Sequence, residues 1–246
     1  MKLENYLDST YLKTPKQSGL SDSETLEKVH NLVREANLYG FYAVMVRPDY
    51  VRSVRMLLDE LQSKIKLGTV IDFPEGRGSV ASKLAEAQRA IADGADELDF
   101  VIDYNAFKSG NLQKVKEEVE SCTRLCLNFE KISKWIIEVA ALTDDEIIEI
   151  SQLIREIILK KLECPPEMVF VKSSTGFYET RNGEPNGANE HVIKLMIENA
   201  SPLPIKASGG VKSKQTAEQM IGLGVKRIGT SSALQIISGQ DVKENY

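Results

Sequence analysis

The sequence has few of the residues that bind metals or form disulfides in small proteins. Its 246 residues include three cysteines and two histidines, a sparse set that excludes a disulfide framework and fits a reducing compartment. Cys122 and Cys126 lie four residues apart in a helical pattern. Two thiols without a nearby histidine are more typical of buried small side chains than of a metal site. We therefore expect structural cysteines and no metal site.

Long apolar runs and a surplus of positive charge are missing as well. The first twenty residues mix charged side chains with few apolar ones, which is typical neither of a signal peptide nor of a membrane-spanning helix. The net charge is −5, and no basic stripe with interleaved aromatic residues is present, which argues against nucleic-acid binding. These features predict a cytoplasmic protein that binds neither nucleic acid nor a membrane.

Helical patterns alternate with short apolar runs along the whole chain. Ser21 with Glu24, and Thr143 with Glu146, have the spacing of capping boxes at the start of two helices. Further helices are predicted at 50–62, 79–93, 110–128, 188–199 and 213–223. Strands are predicted at 5–10, 41–46, 66–71, 97–102, 135–140, 168–172, 203–207 and 226–230.

Strands that alternate with helices form a mostly parallel sheet. Eight such units in 246 residues fit a closed (β/α)8 barrel, the TIM barrel. A doubly wound open sheet is the alternative, but it would typically carry a G-x-G-x-x-G turn after its first strand, and none is present there. No linker or low-complexity run divides the chain. We therefore predict an α/β protein with a single barrel domain over residues 1–246.

Charged residues interrupt several of the predicted strands. Strands covered on both faces should be apolar throughout, yet these strands contain Asp99, Glu138, Lys172 and Lys206. Active sites of such barrels lie at the C-terminal ends of the strands. Because Lys172 and Lys206 belong to consecutive strands, closure of the barrel is expected to place them side by side at that end.

Two adjacent ammonium groups in a partly buried site lower the pKa of a lysine amine. A neutral amine attacks a carbonyl to form a Schiff base, which accepts electrons when a carbon–carbon bond breaks. A carboxylate such as Asp99 is suited to move protons in that reaction. Alternatively, Lys172 with Asp99, and Lys206 with Glu138, are only structural ion pairs. The pattern alone leaves both interpretations open.

Turns suited to phosphate follow the last two predicted strands. Gly209 and Gly210 follow Lys206, and residues 229–232 precede the last helical pattern. Glycines let backbone N–H groups approach an anion, and a helix N-terminus favours negative charge. A phosphate held by the loops after strands 7 and 8 recurs in this architecture. The sequence therefore predicts a phosphate site there.

Eight segments spread over essentially the whole chain carry a family resemblance. They are LDSTYLK (7–13), AVMVRPDYV (43–51), TVIDFPEG (69–76), DGADELDFVID (93–103), WIIEVAALTDDEI (135–147), VFVKSSTGF (169–177), IKASGGVKS (205–213) and RIGTSSA (227–233). In these segments the chain resembles the deoxyribose-phosphate aldolases, class I aldolases on a (β/α)8 barrel. VKSSTGF and KASGG together are the most specific part of the match.

The resemblance implies roles for individual residues. Lys172 is similar to the family's Schiff-base lysine, Lys206 to the second lysine that lowers the pKa of the first, and Asp99 to the proton-relay aspartate. Asp8 matches an aspartate near the substrate hydroxyls. The positions that match the family's phosphate-binding residues are Gly176, Gly209, Gly210, Ser231 and Ser232.

The implied reaction is the reversible cleavage of 2-deoxy-D-ribose 5-phosphate to D-glyceraldehyde 3-phosphate and acetaldehyde, in deoxyribonucleotide catabolism. The resemblance implies a small phosphorylated sugar as substrate and no metal or organic cofactor. It leaves open a homo-oligomer, either a dimer or a tetramer.

Four features depart from the family pattern. Ser9 replaces a common histidine, Met45 a frequent cysteine and Asp103 a common asparagine, and the loop at 177–191 is longer and more charged than usual. These changes put the aldehyde preference in question. Two other functions are weighed against the aldolase: a pyridoxal-phosphate barrel, whose cofactor site Lys206 would crowd, and a non-catalytic phosphosugar sensor on the same scaffold.

Overall fold

Eight parallel strands close into one barrel in the computed structural model of the protein, which describes residues 2–180 and 186–239. The strands follow one another around the barrel in chain order, and β8 pairs with β1 to close it. They are β1 Leu7–Tyr11, β2 Ala43–Val46, β3 Lys66–Ile71, β4 Glu97–Val101, β5 Ile132–Ile136, β6 Val169–Lys172, β7 Ile205–Ser208 and β8 Arg227–Thr230. The predicted (β/α)8 barrel is confirmed, and the open sheet is excluded.

Helices connect the strands and cover the outside of the barrel. Those of the described ranges are α1 Pro15–Ser18, α2 Asp22–Tyr39, α3 Val51–Glu60, α4 Val80–Ala92, α5 Tyr104–Lys108, α6 Leu112–Asn128, α7 Asp144–Glu156, α8 Glu190–Ala200, α9 Lys214–Leu223 and α10 Ala233–Ser238. Both predicted capping boxes are confirmed at the starts of α2 and α7, where each cap hydroxyl accepts the N–H of the residue three positions on. In the described part of the chain, none of the helices has the length and apolar character needed to cross a membrane.

The main apolar core lies between the outer face of the barrel and the helices. On α2, Val29, Val33 and Ala36 recur at helical spacing and are completely buried. On the other side of the barrel Phe100 of β4 stacks on Trp135 of β5 with ring centres 5.0 Å apart. Burying each large apolar side chain contributes about 1.5–3 kcal/mol, so this layer holds the helices on the barrel. Cys122 and Cys126 are buried on α6 within it, which confirms their structural assignment.

Strand β5 begins three residues and ends four residues before the predicted positions. It covers Ile132–Ile136 rather than 135–140, so Lys134 is inside the strand and Glu138 follows it. Glu138 has a φ of +56°, a left-handed conformation that only a few per cent of residues other than glycine adopt. The apolar run that suggested the strand thus continues past its end. Lys134 belongs to the strand because its register partner is Asp99 of β4.

Candidate active site

Lys172 ends β6 and lines a cavity of about 850 Å³ at the C-terminal end of the barrel. Val169 and Val171 of the same strand pack into the outer apolar core. Because side chains alternate along a strand, Lys172 is directed into the barrel. The residue is only 4% exposed. The sequence VFVK therefore delivers a nearly buried amine to the wall of a cavity.

Lys172, Lys206 and Asp99 meet in the barrel interior. Lys172 and Lys206 are register partners on β6 and β7, which confirms that closure places them side by side. Asp99 Oδ2 accepts hydrogen bonds from Lys172 Nζ at 2.9 Å and from Lys206 Nζ at 2.8 Å. One carboxylate oxygen thus joins the two amines.

Further charged side chains complete a closed arrangement below Lys172, which we call the ion-pair ring. Its members, in order of contact, are Asp99, Lys134, Glu97, Arg227, Asp8 and Lys206, and all six are buried. Lys134 Nζ lies 2.7 Å from Asp99 Oδ1 and 2.7 Å from Glu97 Oε2. The second oxygen of Asp99 is therefore also occupied.

The other half of the ring joins β8 to β4 and β1. Arg227 donates to both oxygens of Glu97 at 3.1 and 2.9 Å, and its Nε donates to Asp8 Oδ1 at 2.7 Å. Lys206 Nζ lies 2.6 Å from Asp8 Oδ2 and closes the ring. Asp8 is completely buried in these contacts, so the structure places it beside Lys206 and Arg227 rather than on the cavity wall.

The environment lowers the pKa of Lys172 to about 8 from an ordinary value of 10.5. Burial is the main cause; the Asp99 carboxylate opposes it, and the ammonium groups of Lys206 and Lys134 reinforce it. A lysine with that pKa is uncharged in roughly one molecule in ten at pH 7, against about one in 3,000 for an ordinary lysine. The site therefore supplies a usable fraction of neutral amine.

The two aspartates of the ring remain ionised. Burial by itself would raise the pKa of Asp99, but Lys134, Lys172 and Lys206 together hold it well below its usual range. Burial would also raise the pKa of Asp8, but the positive charges of Arg227, Lys206 and Lys134 outweigh this effect and lower it to about 2. At neutral pH both carboxylates are therefore negatively charged and accept hydrogen bonds from their cationic partners.

Glu138 binds the turn after β6 instead of Lys206. Its carboxylate accepts a hydrogen bond from Ser174 Oγ at 2.8 Å, from the Thr175 N–H at 3.1 Å and from the Thr175 hydroxyl. Lys206 is paired with Asp8 and Asp99 instead of with Glu138, which the alternative of a structural ion pair would have required. Burial raises the pKa of Glu138. Its contacts fix the backbone that leads into Gly176.

Four of the five predicted phosphate positions line the cavity: Gly176, Gly209, Gly210 and Ser231. Gly209 and Gly210 have φ values of +80° and +85°, which favour glycine. Ser232 is not among the described residues that line the cavity, and its N–H donates to Thr230 Oγ1 at 3.0 Å. The lining also includes Lys13 and Lys212, whose charges suit an anion.

The residues that depart from the family pattern have different surroundings. Ser9 is buried on β1, and Asp103 caps α5 while pairing with Lys114 at 2.5 Å. Met45 joins an apolar cluster with Leu12, Val70, Phe73 and Phe177. Within the loop at 177–191, residues 181–185 lie outside the described part of the chain.

Sequence reasoning missed Glu97, Lys134 and Arg227. Glu97 precedes Asp99 by two positions, so strand alternation was the signal that could have found it. Lys134 fell outside the predicted strand. Arg227 meets Asp8 across 219 residues of sequence, and no local pattern records that contact.

Comparison with known proteins identifies the family. Residues 9–238 match the sequence model of the DeoC/LacD family aldolases. The chain belongs to this family. The predicted class, an aldolase that breaks carbon–carbon bonds, is thereby confirmed.

Two curated relatives of this aldolase carry the same name. This chain is 38% identical to the deoxyribose-phosphate aldolase of Lactiplantibacillus plantarum over 238 residues, which are 96% of this chain and 99% of the relative. It is 35% identical to the deoxyribose-phosphate aldolase of Mycoplasmopsis pulmonis over the full length of both chains.

Solved structures of aldolases share the fold. The deoxyribose phosphate aldolase of Aeropyrum pernix, which is described as a tetramer, is 31% identical with a TM-score of 0.77, over 96% of this chain and 89% of that one. An aldolase named QR15 is 30% identical with a TM-score of 0.80, over 97% of this chain and 95% of that one.

Proposed function

We propose that the protein is a class I aldolase that reversibly cleaves 2-deoxy-D-ribose 5-phosphate to D-glyceraldehyde 3-phosphate and acetaldehyde. The observation that carries the proposal is the Lys172 amine, which is nearly buried, lines the cavity and has a pKa of about 8. The name shared by the curated relatives supports the substrate.

The proposed reaction begins at Lys172. Its neutral amine attacks C1 of the open-chain sugar, and loss of water gives an imine. Removal of the proton from the C3 hydroxyl lets the C2–C3 bond break, so glyceraldehyde 3-phosphate leaves and the bond electrons pass to the imine as an enamine. Protonation at C2 and hydrolysis then release acetaldehyde and regenerate the amine.

Asp99 and Lys206 are the proposed proton-transfer groups of this reaction. Asp99 Oδ2 lies within hydrogen-bond distance of both amines, which is the reach that general acid–base catalysis requires. Lys206 is held by carboxylates on two sides. We assign Asp8 the role of holding Lys206 from below.

The phosphate is proposed to lie at the loops that contain Gly176, Gly209, Gly210 and Ser231. Backbone N–H groups next to glycines approach anions closely, and no side chain intervenes. Lys212 lines the same cavity and adds a positive charge. We do not extend the assignment to Ser232, because its N–H is occupied by Thr230.

Borohydride trapping tests the proposal. The protein is incubated with deoxyribose 5-phosphate and borohydride, and peptide mapping locates the reduced adduct. We expect the added mass on Lys172, and we expect Lys172→Met to lose both the adduct and the release of acetaldehyde. An adduct on Lys206 would overturn the assignment. The absence of any covalent adduct would favour the sensor, and visible absorption of the purified protein would favour pyridoxal phosphate.

Assembly and location are further parts of the proposal. The Aeropyrum pernix relative is described as a tetramer, and we propose that this chain also forms a homo-oligomer, either a dimer or a tetramer, in the cytoplasm. Light scattering on the purified protein measures the oligomer, and a monomeric mass would contradict it.

A further inference from the structure

The ion-pair ring is closed and alternates in sign. Around the ring each carboxylate lies between two cations and each cation between two carboxylates, and one longer contact, Lys134 Nζ to Asp8 Oδ2 at 4.0 Å, crosses it. The three negative and three positive charges cancel. A buried ion is very unfavourable when it is unpaired, so this balance is what allows six charges to occupy the barrel interior.

Lys172 is attached to the ring as a seventh charged group. It bonds to Asp99 Oδ2, an oxygen already held by Lys206, while Lys134 holds Asp99 Oδ1. If Lys172 is protonated, the ring and Lys172 together carry one unbalanced positive charge. If Lys172 is neutral, the group is balanced.

The charges around Lys172 come from every neighbouring part of the barrel. The groups that face it are Asp99 and Glu97 on β4, Lys134 on β5, Glu138 after β5, Lys206 on β7, Arg227 on β8 and Asp8 on β1. The Glu138 carboxylate is hydrogen-bonded to Ser174 and Thr175, and burial raises its pKa. The ring therefore decides the local charge balance.

We propose that Glu97 and Arg227 are positioning residues that close the ring behind Asp8 and Asp99, hold its net charge at zero, and so set the pH at which the Lys172 amine becomes a neutral nucleophile. Neither residue is among the described residues that line the cavity, so they act through other side chains. The inference rests on the proposed function, because it takes the Lys172 amine as the reacting group.

Removing a charge from the ring should shift the titration of Lys172 in a direction set by the sign of that charge. Glu97→Gln removes a negative charge at nearly constant shape, so protonated Lys172 becomes less favourable and its titration moves to lower pH. Arg227→Met removes a positive charge, so the same titration moves to higher pH. Each shift should be about one pH unit, the size expected for a unit charge several ångströms away at an effective dielectric constant of about 20. The double variant restores neutrality and should return the titration toward wild type.

Two pH profiles test this between pH 6 and 10. The first is kcat/KM for deoxyribose 5-phosphate, whose acid limb reports the free enzyme. The second is the rate at which acetaldehyde and cyanoborohydride alkylate Lys172, followed by peptide mapping and expressed relative to wild type at each pH. The second profile needs no sugar phosphate, so it remains informative if the proposed substrate is wrong.

A matched control comes from another buried ion pair. Glu118 lies 2.5 Å from Lys83, and both side chains are completely buried on α6 and α4, apart from the ring. Glu118→Gln should leave both profiles unshifted. Circular dichroism verifies folding of every variant, and Lys134→Met, which must also shift the titration upward, replaces Arg227→Met if the latter does not fold. Shifts in the same direction for variants of opposite sign, or none, would overturn the inference.

Discussion

Two buried lysines differ in how their amines are satisfied. Lys83 donates to the carbonyls of Gly76 and Val101 and to Glu118, at 3.2, 2.7 and 2.5 Å, so all three of its N–H bonds have acceptors. Lys172 instead shares one oxygen of Asp99 with a second lysine. An ammonium is stabilised when each of its N–H bonds has its own acceptor. An ammonium that shares one acceptor oxygen with a second lysine is less stabilised relative to the neutral amine. The number of acceptors therefore separates a structural lysine from a reactive one.

Lys206→Leu tests the neighbouring charge. It removes a positive charge that contributes to the lowered pKa of Lys172, so that pKa should rise and less neutral amine should be present at pH 7. We expect kcat/KM at pH 7 to fall at least about tenfold and the acid limb of its pH profile to move up by about one unit. Steady-state kinetics from pH 6 to 10 measure both, and an unmoved limb with full activity would contradict the role of Lys206.

Two loops form the proposed phosphate site by packing against each other. The Ala188 N–H donates to the carbonyls of Ser208 and Gly209 at 3.1 and 2.9 Å, and Ser174 Oγ lies 2.6 Å from the Asn186 carbonyl oxygen. A Cβ on Gly209 would lie 2.8 Å from Gly187 Cα. The loops after β6 and β7 therefore depend on a glycine at position 209.

Gly209→Ala should disturb this packing. Its left-handed φ adds strain of about 1–2 kcal/mol, and the methyl group must displace backbone. We expect KM for deoxyribose 5-phosphate to rise about tenfold, equivalent to about 1.4 kcal/mol, while cleavage of unphosphorylated deoxyribose changes less. Steady-state kinetics on both sugars measure this.

Gly40→Ala is the control for Gly209→Ala. Gly40 has a φ of +70° at the C-terminus of α2 and no atom within 4 Å of the added Cβ, so it imposes the strain without displacing a loop. It should lower the melting temperature and leave KM unchanged. Equal losses on both sugars in Gly209→Ala would place the phosphate elsewhere.

The order of elements was predictable because apolar runs and helical periodicity are local. β3 lies where the pattern placed it, and the capping residues Ser21 and Thr143 mark the starts of α2 and α7. β5 was misplaced because Lys134 makes its strand less apolar than the segment that follows. The burial of Lys134 depends on Asp99 of the neighbouring strand β4, which a single-segment pattern does not contain.

The site was predictable only in part for the same reason. Lys172, Lys206 and Asp99 stood out as charges in apolar strands, and closure of the barrel brought them together as expected. Asp8 received its expected role from family resemblance alone, and Ser232 from the resemblance and from the turn before the last helix. Neither signal carries information about burial. A contact between distant strands places Asp8 below Lys206, and Ser232, whose N–H donates to Thr230, is not among the described residues that line the cavity.

For the molecule as a whole, the reactive amine has a cost in stability. The pKa of Lys172 is about 8 in the folded protein and 10.5 in an exposed chain, so the unfolded state binds more protons between these values and stability rises with pH across this window. Below pH 8 the full penalty applies, about 3 kcal/mol. Activity and stability therefore conflict at one side chain.

Lys172→Met should relieve that conflict. We expect the inactive variant to unfold with a free energy about 3 kcal/mol larger than wild type at pH 7, and the difference should shrink toward zero near pH 10.5. Urea denaturation at pH 7 and pH 10 measures it. A variant that is less stable than wild type, or a difference that does not depend on pH, would contradict the prediction.

The barrel interior below Lys172 consists of the ion-pair ring, where many proteins have only apolar packing. Anyone who redesigns this enzyme for other aldehydes therefore has unequal freedom at the two ends of the cavity. Substitutions at the wall, at Thr10, Phe177 or Leu234, can be screened one at a time. Substitutions in the ion-pair ring must be made in charge-matched pairs, because a single change leaves a buried charge unpaired. A library of single changes there therefore consists mainly of destabilised proteins.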